Sequence, residues 1–86
     1  TAAGIAKNLY LAGRVVDPAD MKQGDLIFYA RKKSGLWVQP DRFMRISHVS
    51  IYMGDGRQVH ARNEKYGVSV NNYTGSEMVL ICRPPY

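Results

Sequence analysis

Along the chain, one helical opening gives way to short stretches of β-like patterning separated by turn-forming breaks. Ile5, Leu9 and Ala12 fall on one face of a helix over 2–12, with Thr1 placed to cap it and Gly13 to stop it. Asp17-Pro18-Ala19-Asp20 predicts a second, one-turn start, with Asp17 at the cap and Pro18 at the first helical position. Residues 25–30, Asp-Leu-Ile-Phe-Tyr-Ala, are apolar on both parities, the pattern of a central strand covered on both faces. Two strands joined by Gly54-Asp55-Gly56 are predicted over 46–61, a half-buried alternating strand over 67–71 and a last strand over 78–83. Pro84-Pro85 then prevents further pairing. The fold class is α+β: an antiparallel sheet of about five strands with one short N-terminal helix, in a single unit without repeats.

The register of the 46–61 hairpin decides which side chains share a face. A two-residue turn at Asp55-Gly56, with Gly54 facing Arg57, would set His60 opposite Ile51 on the apolar face. A three-residue loop, Gly54-Asp55-Gly56, sets Met53 opposite Arg57 and Ile51 opposite Val59. Val49, Ile51, Val59 and Ala61 then share one face, while His48, Ser50, Tyr52, Gln58, His60 and Arg62 share the other. A one-residue slip would move every side chain to the wrong side, so burial favours the three-residue loop.

Composition narrows the setting. The chain has 86 residues, 45% of them hydrophobic and 22% charged, which fits a folded domain and argues against disorder. Its longest apolar runs, 26–30 and 78–82, are far too short to span a bilayer, so no membrane partner is expected. One cysteine permits no internal disulfide. Twelve basic against seven acidic residues favour polyanionic surroundings, whether nucleic acid, a lipid surface or an anionic wall polymer. Residues 31–45, with Arg31-Lys32-Lys33, Ser34-Gly35, Trp37 and Pro40, form a loop longer than most connections in compact domains, and such loops often bind something.

Both histidines lie on the hairpin. In the favoured register His60 is diagonal to His48 across small Ser50, a backbone separation of roughly 7–8 Å that two imidazoles can close. Such a pair can be a half-exposed polar face, two metal ligands, or a base with the partner that orients it. No cysteine or carboxylate shares the face, since Asp55 is in the turn and Glu64 beyond the strand, so a metal is not expected. In a catalytic reading Ser50 leaves room above the sheet for a nucleophile. Cys82 ends an apolar run and no helix starts there, which predicts a buried structural thiol.

Gly24-Asp25-Leu26-Ile27-Phe28-Tyr29, then 47–56 (Ser-His-Val-Ser-Ile-Tyr-Met-Gly-Asp-Gly), then Val59-His60-Ala61 resemble, in order and spacing, the NlpC family of papain-like cell-wall cysteine peptidases. The resemblance implies a papain-like sheet in which His48 is the general base and His60 orients it, with Ser47, Ser50 and Trp37 as candidate substrate contacts and no cofactor. It also implies a bacterial protein, secreted or wall-associated, that cleaves peptidoglycan peptide stems, by preference between D-glutamate and the diamino acid. The nucleophilic cysteine of such enzymes sits on a helix N-terminal to everything in this sequence. Residues 1–86 are therefore expected to be the C-terminal part of one catalytic domain, inactive alone, with part of the helical layer missing. The exposed sheet face would be covered by that missing segment or by a second copy. Two departures stand out: Ser50 occupies a position usually held by glycine or alanine, and the 31–45 loop is longer than usual. The other readings are a noncatalytic wall-binding module of the same fold and, ranked below it, a basic β-barrel that binds nucleic acid. The last ranks low because the aromatics are spread over both strand parities.

Overall fold

The computed structural model describes residues 1–61 and 67–86; Arg62 and Glu64, placed on and beyond the hairpin by the sequence pattern, lie outside them. Helix α1 (Ala2–Leu11) is capped by Thr1, whose hydroxyl accepts from the Gly4 N–H at 2.9 Å. Its buried residues are Ala3 and Ala6, with Ala2 and Leu9 beside them, whereas Ile5 remains 47% exposed. Alanines let the helix approach the sheet closely, which turns the predicted Ile5 face partly outward. A 3₁₀ turn (Pro18–Asp20) follows, with the Asp17 carboxylate accepting from the Ala19 N–H at 2.9 Å.

The strands are β1 (Leu26–Tyr29), β2 (Lys32–Lys33), β3 (Leu36–Trp37), β4 (His48–Gly54), β5 (Arg57–Ala61), β6 (Val68–Asn72) and β7 (Met78–Cys82). Five of them form one antiparallel sheet in the order β6-β5-β4-β1-β7. The β1 strand is thus internal, as its unbroken apolar run requires, and three of its four residues are buried. Strands β2 and β3 make a separate hairpin inside the long 31–45 connection. Ser34 and Gly35 both have positive φ at its tip, the backbone of a two-residue hairpin turn.

The two faces of the sheet carry two cores. On one, α1 packs Ala3 and Ala6 against Phe28, Leu80, Cys82 and Ile46. On the other, Ile27, Tyr29 and Ile81 pack with Val16, flanked by Tyr52 and Tyr73. The helix does not reach across the outer strands of its own face. There Ile51, Met53, Val68 and Val70 stay between 41% and 70% exposed.

The β4–β5 turn differs from the favoured three-residue loop. Gly54 pairs with Arg57, so the connection is the two-residue turn Asp55-Gly56, both with positive φ. The register nevertheless pairs Ile51 with Val59 and Tyr52 with Gln58, because Met53 is an extra residue bulged out between Tyr52 and Gly54. Burial fixed the pairing of the faces, and the bulge reconciles that pairing with the shorter turn. The Gly56 N–H donates to the Tyr52 hydroxyl at 2.8 Å and holds the turn against β4.

Candidate active site

His48 opens β4 and His60 lies near the end of β5. The β1–β4 register sets Tyr29 opposite His48 and Ile27 opposite Ser50. Paired residues in an antiparallel sheet share a face, so both histidines project on the side away from α1. His48 Nε2 and His60 Nδ1 are 2.9 Å apart, a hydrogen bond whose direction follows the tautomer. The rings meet edge to face, with centroids 4.9 Å apart and planes at 73°. His60 is buried and His48 is half-buried, so one imidazole is enclosed and the other reaches the surface.

Beneath the pair lies a buried polar cluster centred on Gln58. Its side-chain carbonyl accepts from the Ser50 hydroxyl at 2.6 Å and from the Tyr29 hydroxyl, while its amide donates to the Asn72 carbonyl at 3.2 Å. The Tyr29 ring lies 5.8 Å from the His48 ring. Ser50 is only 2% exposed. Ser50 is thus buried with its hydroxyl bonded to Gln58, and it lines a groove together with His48 and His60. The alternation of β5 put Gln58 on this face without revealing its role. The usable signal was a glutamine two residues from His60 on a strand whose polar side is covered.

Ser47 is half-buried at the entry to β4. Its N–H donates to the Tyr29 carbonyl at 2.9 Å and its hydroxyl accepts from the Arg31 N–H at 3.3 Å, which fixes where β4 begins. Trp37 sits on the β2–β3 hairpin with Lys32 Nζ 4.5 Å and the Arg45 guanidinium 5.1 Å from its ring centroid. Its ring anchors cations. The start of β1 is held by Asp25, whose carboxylate accepts from Arg83 Nε at 2.8 Å, Arg83 Nη2 at 2.9 Å and the Lys22 N–H at 2.8 Å. Burial pushes the Asp25 pKa up, but the Arg83 hydrogen bonds, the Lys22 N–H and the two positive charges outweigh it and hold the carboxyl below its ordinary value.

The NlpC/P60 family model matches residues 3–80. The chain belongs to the NlpC/P60 family. It is 34% identical over 67 residues to gamma-DL-glutamyl hydrolase of Bacillus subtilis (strain 168), an alignment covering 78% of this chain and 14% of that protein. Its fold matches the peptidoglycan hydrolase RipB of Mycobacterium tuberculosis with a TM-score of 0.62 and 30% identity, over 91% of this chain and 34% of RipB. A second NlpC/P60 protein, from Bacillus cereus ATCC 10987, matches with a TM-score of 0.59 and 27% identity over 81% of this chain and 22% of its own. The chain therefore spans about a seventh of the length of the curated relative it matches.

NlpC/P60 proteins are cysteine peptidases that include peptidoglycan hydrolases, which directs attention to the single cysteine here. Cys82 is fully buried in the α1-side core, and burial pushes its thiol pKa up, the opposite of an activated nucleophile. Among the described residues no group of three or more His, Cys, Asp or Glu side chains converges to hold a metal ion. On the α1 side a groove of about 480 Å³ runs from Ala2 and Ile5 over Ile51 and Val59 to the edge of His48.

Proposed function

We propose that this chain is the sheet portion of a cysteine peptidase that hydrolyses peptidoglycan peptide stems, at the bond joining a γ-linked D-glutamyl residue to a diamino acid. His48 is the general base and His60 the residue that orients it; the nucleophilic thiol comes from a segment N-terminal to Thr1. With Nε2 engaged by His60, the base function falls to Nδ1 of His48. It takes the thiol proton as sulfur attacks the scissile carbonyl carbon. The tetrahedral intermediate collapses with C–N cleavage, and the imidazolium returns that proton to the leaving amine. Water, deprotonated by the same nitrogen, then attacks the thioester, and the carboxylic acid leaves as the thiol is regenerated. The protein acts outside the cytoplasm, at the bacterial wall.

The observation that carries this reading is the 2.9 Å contact between His48 Nε2 and His60 Nδ1, on a face built from buried partners. The γ-glutamyl specificity in the name of the Bacillus subtilis relative supports the choice of bond. The test compares turnover of a stem tetrapeptide by the 86-residue chain with turnover by the chain extended upstream. The extended protein is expected to cleave and to lose at least about a hundredfold in kcat with His48→Gln. Turnover by the 86-residue chain that survives Cys82→Ala would overturn the assignment. Because its one cysteine is buried, a second reading is a module that binds the stem without cutting it; binding without turnover in the extended protein would favour it.

A further inference from the structure

Charge on this chain is concentrated. Residues 31–45 hold five of its twelve basic residues and one of its seven acidic ones, which accounts for four of the five net positive charges. Among the described residues the only ion pair is that of Arg83 with Asp25, so none of these five cations makes a described ion pair. Two aromatic rings hold three of them in place. Lys32 and Arg45 lie against Trp37, and the Arg31 guanidinium lies 5.7 Å from the centroid of Tyr29, the same ring that neighbours His48.

The backbone is shaped to make this arrangement. The Ser34-Gly35 turn folds β2 onto β3 and brings Lys32 opposite Trp37. Met44 and Arg45 both adopt positive φ, at 50° and 57°, a conformation that residues with a Cβ rarely take. The reversal sends Ile46 into the core and leaves Arg45 exposed, with its head group against Trp37.

We propose that segment 31–45 is an anion-recognising wall of the histidine site, and that it takes a substrate chain carrying free carboxylates on the residues that flank the bond held at His48. This rests on the proposed function for the position of that bond. The Arg31 guanidinium lies 5.7 Å and the His48 ring 5.8 Å from the Tyr29 centroid, so the guanidinium is within about four residues' reach of His48 along an extended substrate, at roughly 3.3 Å per residue. Lys32 and Arg45 continue the positive surface outward from it. A nucleic acid fits less well, because stacking needs open ring faces. Tyr29 is only 5% exposed, and Trp37 already carries two cations.

The test reads binding, so it is independent of turnover. The 86-residue chain is titrated with poly-γ-glutamate while the emission of Trp37, its only tryptophan, is followed. Polyphosphate, oligo(dT) and an uncharged poly-γ-glutamine serve as parallel probes. Poly-γ-glutamate is expected to bind and perturb Trp37, with an affinity that falls steeply between 50 and 200 mM salt, as screening of exposed charges requires (a Debye length of roughly 10 Å at 0.1 M). Arg31→Gln/Lys32→Gln/Arg45→Gln is expected to weaken binding by about tenfold or more. Lys22→Gln/Arg57→Gln, which removes two cations at the far end of β4, should change it less than about twofold. Lys32→Glu alone, at an exposed hairpin position, repeats the test without touching the strained backbone. No binding, equal loss in the two multiple variants, an unaffected Lys32→Glu, or tighter binding of oligo(dT) or polyphosphate would each overturn the proposal. Loss of catalysis in the extended protein with poly-γ-glutamate binding intact would overturn the proposed function instead.

Discussion

Gln58→Leu tests whether the histidine pair rests on a satisfied polar cluster or simply on a packed one. The substitution keeps the bulk of the side chain but removes the carbonyl that accepts from both Tyr29 and Ser50. Those two hydroxyl-bearing residues are 5% and 2% exposed, so water does not readily replace the lost acceptor. Each orphaned buried hydroxyl costs about 1–3 kcal/mol. Leucine returns about 1–1.5 kcal/mol by removing a buried amide and adding apolar area. The Asn72 carbonyl, on an exposed residue, recovers its bond from solvent. The net loss is about 0.5–5 kcal/mol, centred near 3, a sizeable share of the roughly 4–13 kcal/mol expected for a domain of this size. Urea unfolding followed by Trp37 emission gives the value from the midpoint at unchanged m. The sharper measurement is the double variant. Adding Ser50→Ala to Gln58→Leu removes one of the two orphans and should restore about 1 kcal/mol, whereas Ser50→Ala alone destabilises. A Gln58→Leu protein as stable as the parent, or Ser50→Ala effects that merely add, would refute the reasoning.

Asp25 gives the acid limb of stability its sign. A carboxyl held below its ordinary value of 3.8 stabilises the fold fully above that pH and loses its contribution as pH falls through the lower, folded value. Urea midpoints at pH 5 and pH 3 should therefore diverge in the parent and converge in Arg83→Met; an unchanged gap would remove the pair from the account. For Cys82, full burial and a raised pKa predict that a disulfide reagent labels the native chain only as fast as it opens, and rapidly in urea. Labelling of the native chain at the rate of a free thiol would place that side chain outside the core.

Much of the fold was legible because its signals are local or periodic. Thr1 and Asp17 cap where their side chains allow, and the unbroken apolar run of β1 could only be an internal strand. The features missed depend on tertiary fit. The β2 and β3 strands are two residues each, too short for any period, and only Ser34-Gly35 marked a turn within what otherwise read as loop. The buried face of α1 is set by how closely its alanines approach Phe28 and Leu80, which the spacing of Ile5, Leu9 and Ala12 does not report. Of the site, alternation identified the face and its two histidines. The roles of Ser50 and Gln58 emerged only once the β1–β4 register had brought Tyr29 over them.

The β4–β5 bulge links these levels most directly. An unbulged hairpin closed by Asp55-Gly56 would continue from the Gly54–Arg57 pair with Met53 opposite Gln58, Tyr52 opposite Val59 and Ile51 opposite His60. Each apolar residue would then share a face with a polar partner, and His60 would point toward α1 while His48 points away. One extra residue, Met53, moves every later pair by one place, so that Ile51 meets Val59 and His60 comes level with Ser50. The turn contributes three consecutive positive φ values, at Gly54, Asp55 and Gly56, and glycine at two of them keeps that backbone unstrained. With Met53 present, the hydrogen bond between the histidines thus depends on a backbone irregularity several residues away from either ring. Deleting Met53, with the turn kept, would remove the bulge and leave Tyr52 opposite Gln58 and Ile51 opposite Val59, so the two imidazoles should stay on one face and keep their hydrogen bond, whereas inserting one residue between Tyr52 and Met53 should separate them onto opposite faces of the sheet.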